Sequence, residues 1–137
     1  MSKQNRHHLI YCAYMFEGYA PRDDLVIRLC SNAHMALHKA LDRYAPGSDR
    51  NPVKLEAISR LHLNQVAENY SMAVEQGAGL KQKIIVYQSI LRAYSGLVSC
   101  PGLKAHSEHF DMQLKYLHQN GCFDTLSNLE ACGCVTA

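Results

Sequence analysis

One long amphipathic stretch of the chain, residues 21–44, constrains the fold most. It reads PRDDLVIRLCSNAHMALHKALDRY, and its apolar residues recur in steps of three and four, the spacing of one face of an α-helix. Pro21 suits a first helical turn, and Asp23 and Asp24 would place negative charge at the positive end of the helix dipole. A helix of roughly 24 residues, about 36 Å long, needs partners to cover its apolar face. The sequence therefore predicts a helical bundle.

Further segments with the same apolar spacing predict the partners of this long helix. Gly77 is expected to stop one of them in the left-handed conformation, and a last short helix follows Asp124. Short connections make neighbouring helices antiparallel. We expect one all-α domain over residues 1–137, an antiparallel helical bundle of four main helices plus short terminal helices. Besides the long helix, the predicted segments are residues 6–17, 51–76, 80–98 and 103–120.

Composition and charge are those of an ordinary globular protein. Hydrophobic residues make up 47% of the 137 residues and charged residues 19%, so the chain can bury a core. No apolar run approaches the 20 or so residues of a membrane-spanning helix, and the N-terminal segment lacks a cleavage site of the secretory type. We therefore expect a cytoplasmic protein. In that compartment Cys12, Cys30 and Cys100, which lie among apolar residues, are expected to be buried and inert thiols.

No stretch of the sequence specifies an enzyme. Neither a phosphate-binding Walker loop nor a dinucleotide-binding Gly-x-Gly-x-x-Gly is present, and Gly77-Ala-Gly79 follows a predicted helix rather than a strand. The pair Asp23 and Asp24 is better explained as a helix N-terminus than as a catalytic pair. We expect a non-enzymatic protein without a cofactor.

Several histidines and cysteines have spacings that occur in metal sites. His34 and His38 lie four residues apart on the long helix, which can direct two imidazoles to one metal ion. No recognisable set of four ligands accompanies them, and we expect no bound metal. If a metal is bound, the better candidates are the tail cysteines together with one histidine of the fourth segment: Cys122, Cys132, Cys134, His106 and His109.

Two groups of residues match the pattern of a known family. The first group lies around the beginning of the long helix and comprises Tyr14, Tyr19, Pro21, Leu25 and Leu29. The second follows the glycine turn and comprises Val86, Tyr87, Ile90 and Arg92. With these residues the chain resembles, over residues 14–94, the flagellar secretion chaperones of the FliS family. The resemblance implies a small antiparallel helical bundle that binds the C-terminal part of flagellin in the cytosol.

A chaperone of that kind needs an apolar groove that remains after the bundle has closed, in which an amphipathic segment of its client binds. Several apolar residues lie off or at the edge of the predicted core faces, and methionine suits an adaptable groove. A second copy of the chain is another expected occupant of such a surface. The predicted partner-binding residues are Ile27, Met35, Met72, Ile85 and Tyr87.

The alternative function is that of a small helical nucleic-acid-binding subunit of a nucleoprotein complex. Basic residues concentrate in the first three quarters of the chain, although the net charge of +2 is far below that of a strongly basic domain. The predicted contacts to nucleic acid are Lys3, Arg6, Arg28, Lys81 and Lys83.

Overall fold

The computed structural model describes residues 4–10, 25–44 and 60–119. These ranges are mostly helical, as the sequence predicts, but they also contain one small sheet. None of the helices described is both long and apolar enough to cross a membrane. In chain order the elements are β1 (Gln4–His8), β2 (Val26–Cys30), α1 (Ser31–Tyr44), α2 (Arg60–Ala73), α3 (Leu80–Leu97) and α4 (Pro101–Gln119).

The sheet corrects two of the helix predictions. β1 and β2 pair antiparallel, with Gln4 opposite Cys30 and His8 opposite Val26. Just beyond the pairing, the backbone N–H of Leu9 donates to the carbonyl oxygen of Leu25 over 3.0 Å. The predicted helix over residues 6–17 is therefore wrong at its beginning, and the long helix is wrong at residues 26–30. Residues 11–17 of the first predicted helix and residues 21–24 of the second lie outside the described residues.

β2 is a strand because its burial alternates. Leu25, Ile27 and Leu29 are fully buried, whereas Arg28 between them is exposed. Adjacent β-branched residues, Val26 and Ile27, further favour extended backbone. An almost continuous apolar run satisfies the helical spacing as well as the alternating one, which explains the wrong prediction. The helix begins only at Ser31, so Asp23 and Asp24, which lie outside the described residues, precede its first turn.

A tight turn joins α2 to α3. Gly77 has a φ of 82°, the left-handed conformation predicted for it. α2 ends at Ala73, before the predicted end at residue 76, so Gly77 lies in the turn that follows the helix. In this turn the N–H of Ala78 donates to the carbonyl oxygen of Glu75 over 3.1 Å. The predicted beginning of this helix, residues 51–59, lies outside the described residues. Antiparallel neighbours are supported here, since Tyr70 meets Tyr87 and His62 meets Tyr94.

The core lies where α3 packs against α2 and α4, and where α1 packs against α4 and the sheet. Burying one large apolar side chain contributes about 1.5–3 kcal/mol. The apolar spacing of the predicted segment 51–76 would place Leu61 in the core, but Leu61 is 62% exposed and Leu63 is buried instead. The apolar spacing of α3 and α4 turns one side of each helix inward, where the following residues are all buried: Leu80, Ile84, Tyr87, Leu91, Leu103, Phe110, Leu114 and Leu117.

Polar side chains interrupt this core on one side of α4. His106, His109 and Gln113 are buried there, and His7 of β1 is buried beside them. Buried polar groups are costly unless they are hydrogen-bonded, and each of these four side chains has a hydrogen-bond partner, either Tyr87 or another member of the group. The thiols predicted to be buried differ: Cys30 is buried, Cys100 is only half-buried, and no disulfide joins the two, while Cys12 lies outside the described residues.

Candidate metal centre

Three imidazole rings meet where β1 crosses α1. Side chains alternate along β1, so Asn5 and His7 share one face while exposed Arg6 lies on the other. On α1, His34 and His38 are one turn apart and share a face. One ring nitrogen from each of His7, His34 and His38 lies within 4.8 Å of the other two. Among the described residues, this is the one group of His, Cys, Asp and Glu with that arrangement.

The nitrogens of this cluster are already close to the spacing of metal ligands. His7 Nδ1 lies 3.2 Å from His34 Nε2, and His38 Nε2 lies 3.0 Å from the same atom. Ligands of a tetrahedral metal with bonds of about 2.0–2.1 Å are about 3.3 Å apart. Since the three nitrogens already lie within 4.8 Å of one another, small movements of the rings would place them around one ion.

His7 is held from behind by Gln113. Its Nε2 lies 2.6 Å from Oε1 of Gln113, and Nε2 of Gln113 donates to the backbone carbonyl of Leu9 over 2.8 Å. Since the amide oxygen faces His7, the proton of neutral His7 is on Nε2. The lone pair on Nδ1 then faces His34, as a metal ligand requires.

His34 has two hydrogen-bonding arrangements available. Asn5 Nδ2 lies 3.2 Å from His34 Nδ1, which places the proton of neutral His34 on Nε2, between His7 and His38. If the Asn5 amide turns over, its oxygen accepts from Nδ1–H and the Nε2 lone pair becomes available to a metal. Asn5 can thus support both the metal-free and the metal-bound cluster.

Burial keeps His7 neutral. The loss of solvent is the main cause that lowers the pKa of His7 to about 3; the hydrogen bond to Gln113 acts in the opposite direction, and charge on His38 and His34 lowers the pKa further. Metals bind the neutral imidazole. His7 therefore requires no deprotonation at neutral pH before it can bind an ion.

The histidines that the sequence associates with the tail cysteines serve the core instead. His106 Nε2 lies 3.1 Å from the hydroxyl of Tyr87, and His109 Nδ1 lies 3.4 Å from Gln113 Nε2. Burial, followed by charge on His109, lowers the pKa of His106 to about 3. The other predicted ligands, Cys122, Cys132 and Cys134, lie outside the described residues.

Of the predicted partner-binding residues, three are on the surface and two are not. Met35 is 58% exposed, Met72 84% and Ile85 40%. Ile27 is fully buried because it points inward from β2, and Tyr87 is fully buried against Tyr70 and Phe110. The expectation that Ile27 is exposed is wrong, and neither buried residue can contact a partner on this surface.

The structure brings together two of the basic residues assigned to nucleic acid. Arg6 and Arg28 are directly opposite each other in the sheet, and both are exposed. Lys81 and Lys83 are half-buried in the first turn of α3, and Lys3 lies outside the described residues.

Comparison with known proteins identifies no relative of this chain. No family model, curated protein or solved structure matches the chain. The resemblance to the FliS family stays a prediction, and any function has to be inferred from the geometry.

Proposed function

We propose that the chain binds one divalent transition-metal ion through Nδ1 of His7 and Nε2 of His34 and His38. The observation that carries the proposal is the convergence of these three imidazoles from β1 and α1, at nitrogen separations of 3.0 and 3.2 Å around His34. The prediction from sequence was that no metal is bound, and the geometry favours the opposite.

The ligand set points to zinc or a similar ion. Neutral imidazoles suit Zn²⁺, Co²⁺, Ni²⁺ and Cu²⁺, whereas Mg²⁺ and Ca²⁺ prefer oxygen ligands. Three histidines leave a fourth position for water or for one more ligand. An ion at this position links β1 to α1 and, through Gln113, to α4. The proposed function is therefore metal binding that fixes the N-terminal strand on the helices.

A titration of metal-free protein with Zn²⁺, and with Co²⁺ for its visible spectrum, tests the proposal under reducing conditions. We expect one ion per chain and a spectrum of nitrogen ligation. His7→Ala, His34→Ala and His38→Ala should each weaken binding by about 100-fold or more, above the loss typical of an outer-shell partner. His118→Ala, an exposed histidine of α4 outside the cluster, is the matched control and should bind as before. Unchanged binding in all three variants would refute the site.

A second candidate function is protein binding through an apolar surface. It is supported by large apolar side chains on the outside of the described helices: Met35, Leu61, Met72, Ile85 and Leu97. In this proposal the chain is an antiparallel four-helix bundle that holds an amphipathic client segment, as the FliS resemblance implies. A helix bound in an apolar groove gains its affinity from buried apolar area.

Fluorescence anisotropy with a labelled amphipathic helical peptide tests this second function. Met72→Ser should weaken binding, Gln82→Ser at an exposed polar position should not, and salt should have little effect. The nucleic-acid alternative predicts the reverse: binding of an RNA oligonucleotide that weakens steeply with salt and depends on Arg6 and Arg28. Absence of binding to both probes would leave metal binding as the proposed function.

A further inference from the structure

We infer that Gln113 is the positioning residue of the metal centre: it holds His7 in the tautomer whose Nδ1 lone pair faces His34 and His38. The inference rests on the proposed metal-binding function. Gln113 is fully buried on α4, and its Oε1 lies 2.6 Å from Nε2 of His7, a residue 106 positions earlier in the chain. Gln113 thus contacts Nε2 of His7 and not Nδ1, the proposed metal-binding nitrogen.

Two neighbours fix the orientation of the Gln113 amide. The Leu9 carbonyl, 2.8 Å from Nε2 of Gln113, can only accept a hydrogen bond. His109 Nδ1 lies on the same side, 3.4 Å from that nitrogen. Turning the amide over would direct its oxygen at the Leu9 carbonyl, so that two acceptors would face each other with no hydrogen between them. The oxygen therefore faces His7.

This orientation decides where the proton of His7 is. Neutral imidazole carries one N–H, and the Gln113 oxygen accepts it from Nε2. In the other tautomer, an N–H on Nδ1 would point into the cluster at His34 Nε2, only 3.2 Å away, and would exclude a metal ion. The ligand is thus prepared before any ion arrives. In metal sites such outer partners fix the tautomer and ring orientation of the ligating histidine.

The tautomer can be measured in the unmodified, metal-free protein. Nitrogen-15 NMR distinguishes a protonated ring nitrogen from one with a lone pair, and we expect His7 to be protonated on Nε2 and bare on Nδ1. This measurement requires no variant and no bound metal. A His7 ring protonated on Nδ1 would overturn the inference.

Two substitutions separate positioning from mere packing. Gln113→Met removes the hydrogen bonds to His7 and Leu9, whereas Gln113→Glu keeps an acceptor for His7 Nε2–H and loses the donor to Leu9. We expect zinc affinity to fall about 10–100-fold in Gln113→Met, and to be largely retained in Gln113→Glu, although both variants lose folding stability. Gln88→Met is the control, since Gln88 is a half-buried glutamine of α3 that donates to Asp111 instead.

The possible failures are distinct. If both Gln113 variants lose zinc affinity equally, or neither does, Gln113 is a packing residue and the inference fails while the metal centre stands. If the unmodified protein binds neither Zn²⁺ nor Co²⁺, the proposed function fails with it. Should the variants not fold, the NMR tautomer of the unmodified protein decides the role of Gln113.

Discussion

Among single residues, the buried histidines have the largest consequences. His7 and His106 are each almost inaccessible to water, and burial lowers the pKa of both to about 3. In an unfolded chain the same rings titrate near pH 6.5. Folding therefore favours the neutral form of both rings and opposes their protonation.

The pH dependence of stability should report this difference. Between pH 6.5 and about 3 the unfolded chain binds a proton at His106 that the folded chain does not, so the free energy of unfolding falls as the pH falls. The slope for one such group is about 1.4 kcal/mol per pH unit. Urea unfolding at pH 7, 6, 5 and 4 measures it.

His106→Gln supplies the comparison for that measurement. Among the described residues, the groups that face His106 include the Tyr87 hydroxyl of α3 and His109 of α4. With no titrating ring at position 106, the slope between pH 4 and 6 should become shallower by up to about 1.4 kcal/mol per pH unit. An unchanged slope would mean that His106 takes up its proton in the folded protein.

A second prediction at this scale concerns Ile27 and Met35. Because Ile27 is fully buried, Ile27→Ala should lower the free energy of unfolding by about 2–5 kcal/mol. Met35 is 58% exposed, and Met35→Ala should change it by less than about 0.5 kcal/mol. Urea unfolding of the two variants measures both values. If Ile27→Ala changed the free energy of unfolding as little as Met35→Ala, residues 26–30 would be helical and Ile27 would lie on the surface.

At the scale of elements, amphipathic helices were predictable and the strands were not. α3 and α4 lie within a few residues of their predicted bounds because apolar spacing and turn residues agree there. The segment Val26–Cys30 is apolar at nearly every position, so its spacing fits a strand and a helix alike. β1 contains no β-branched residue, and its extended form depends on pairing with β2.

Substitution of Gly77, in the turn between α2 and α3, and of Gly96, within α3, should change the stability of the fold in opposite directions. Gly77 has a φ of 82°, which other residues adopt at a cost, so Gly77→Ala should destabilise the fold by about 1–2 kcal/mol. Gly96 lies within α3, and nothing within 4 Å obstructs a methyl group there, so Gly96→Ala should stabilise by about 0.5–1 kcal/mol. Thermal unfolding of both variants provides the comparison. A stabilising Gly77→Ala would contradict the turn.

At the scale of the whole molecule, the candidate site joins distant parts of the chain. The sequence identified His34 and His38 as a pair, because four residues on a helix place two rings side by side. It did not identify His7 as a third member, since only the register of β1 and the contact with Gln113 on α4 place this ring beside the pair. No local pattern contains that information.

Metal binding should therefore stabilise the whole fold. An ion that binds only the folded chain adds about 2.7 kcal/mol when its free concentration is 100 times the dissociation constant. The unfolding temperature of the unmodified protein should rise with Zn²⁺ and fall back with a chelator, as calorimetry can show. His34→Ala should unfold at the same temperature with and without Zn²⁺. A rise of equal size in that variant would place the ion elsewhere.

The hydrogen bond between His7 and Gln113 also has a consequence for the order of events during folding. It closes a span of 106 residues, whereas α2 and α3 meet across a short turn. Closing long spans is entropically expensive, and distant pairings form slowly compared with local ones. A refolding chain should therefore complete the helical hairpin early and acquire its capacity to capture zinc among its last steps.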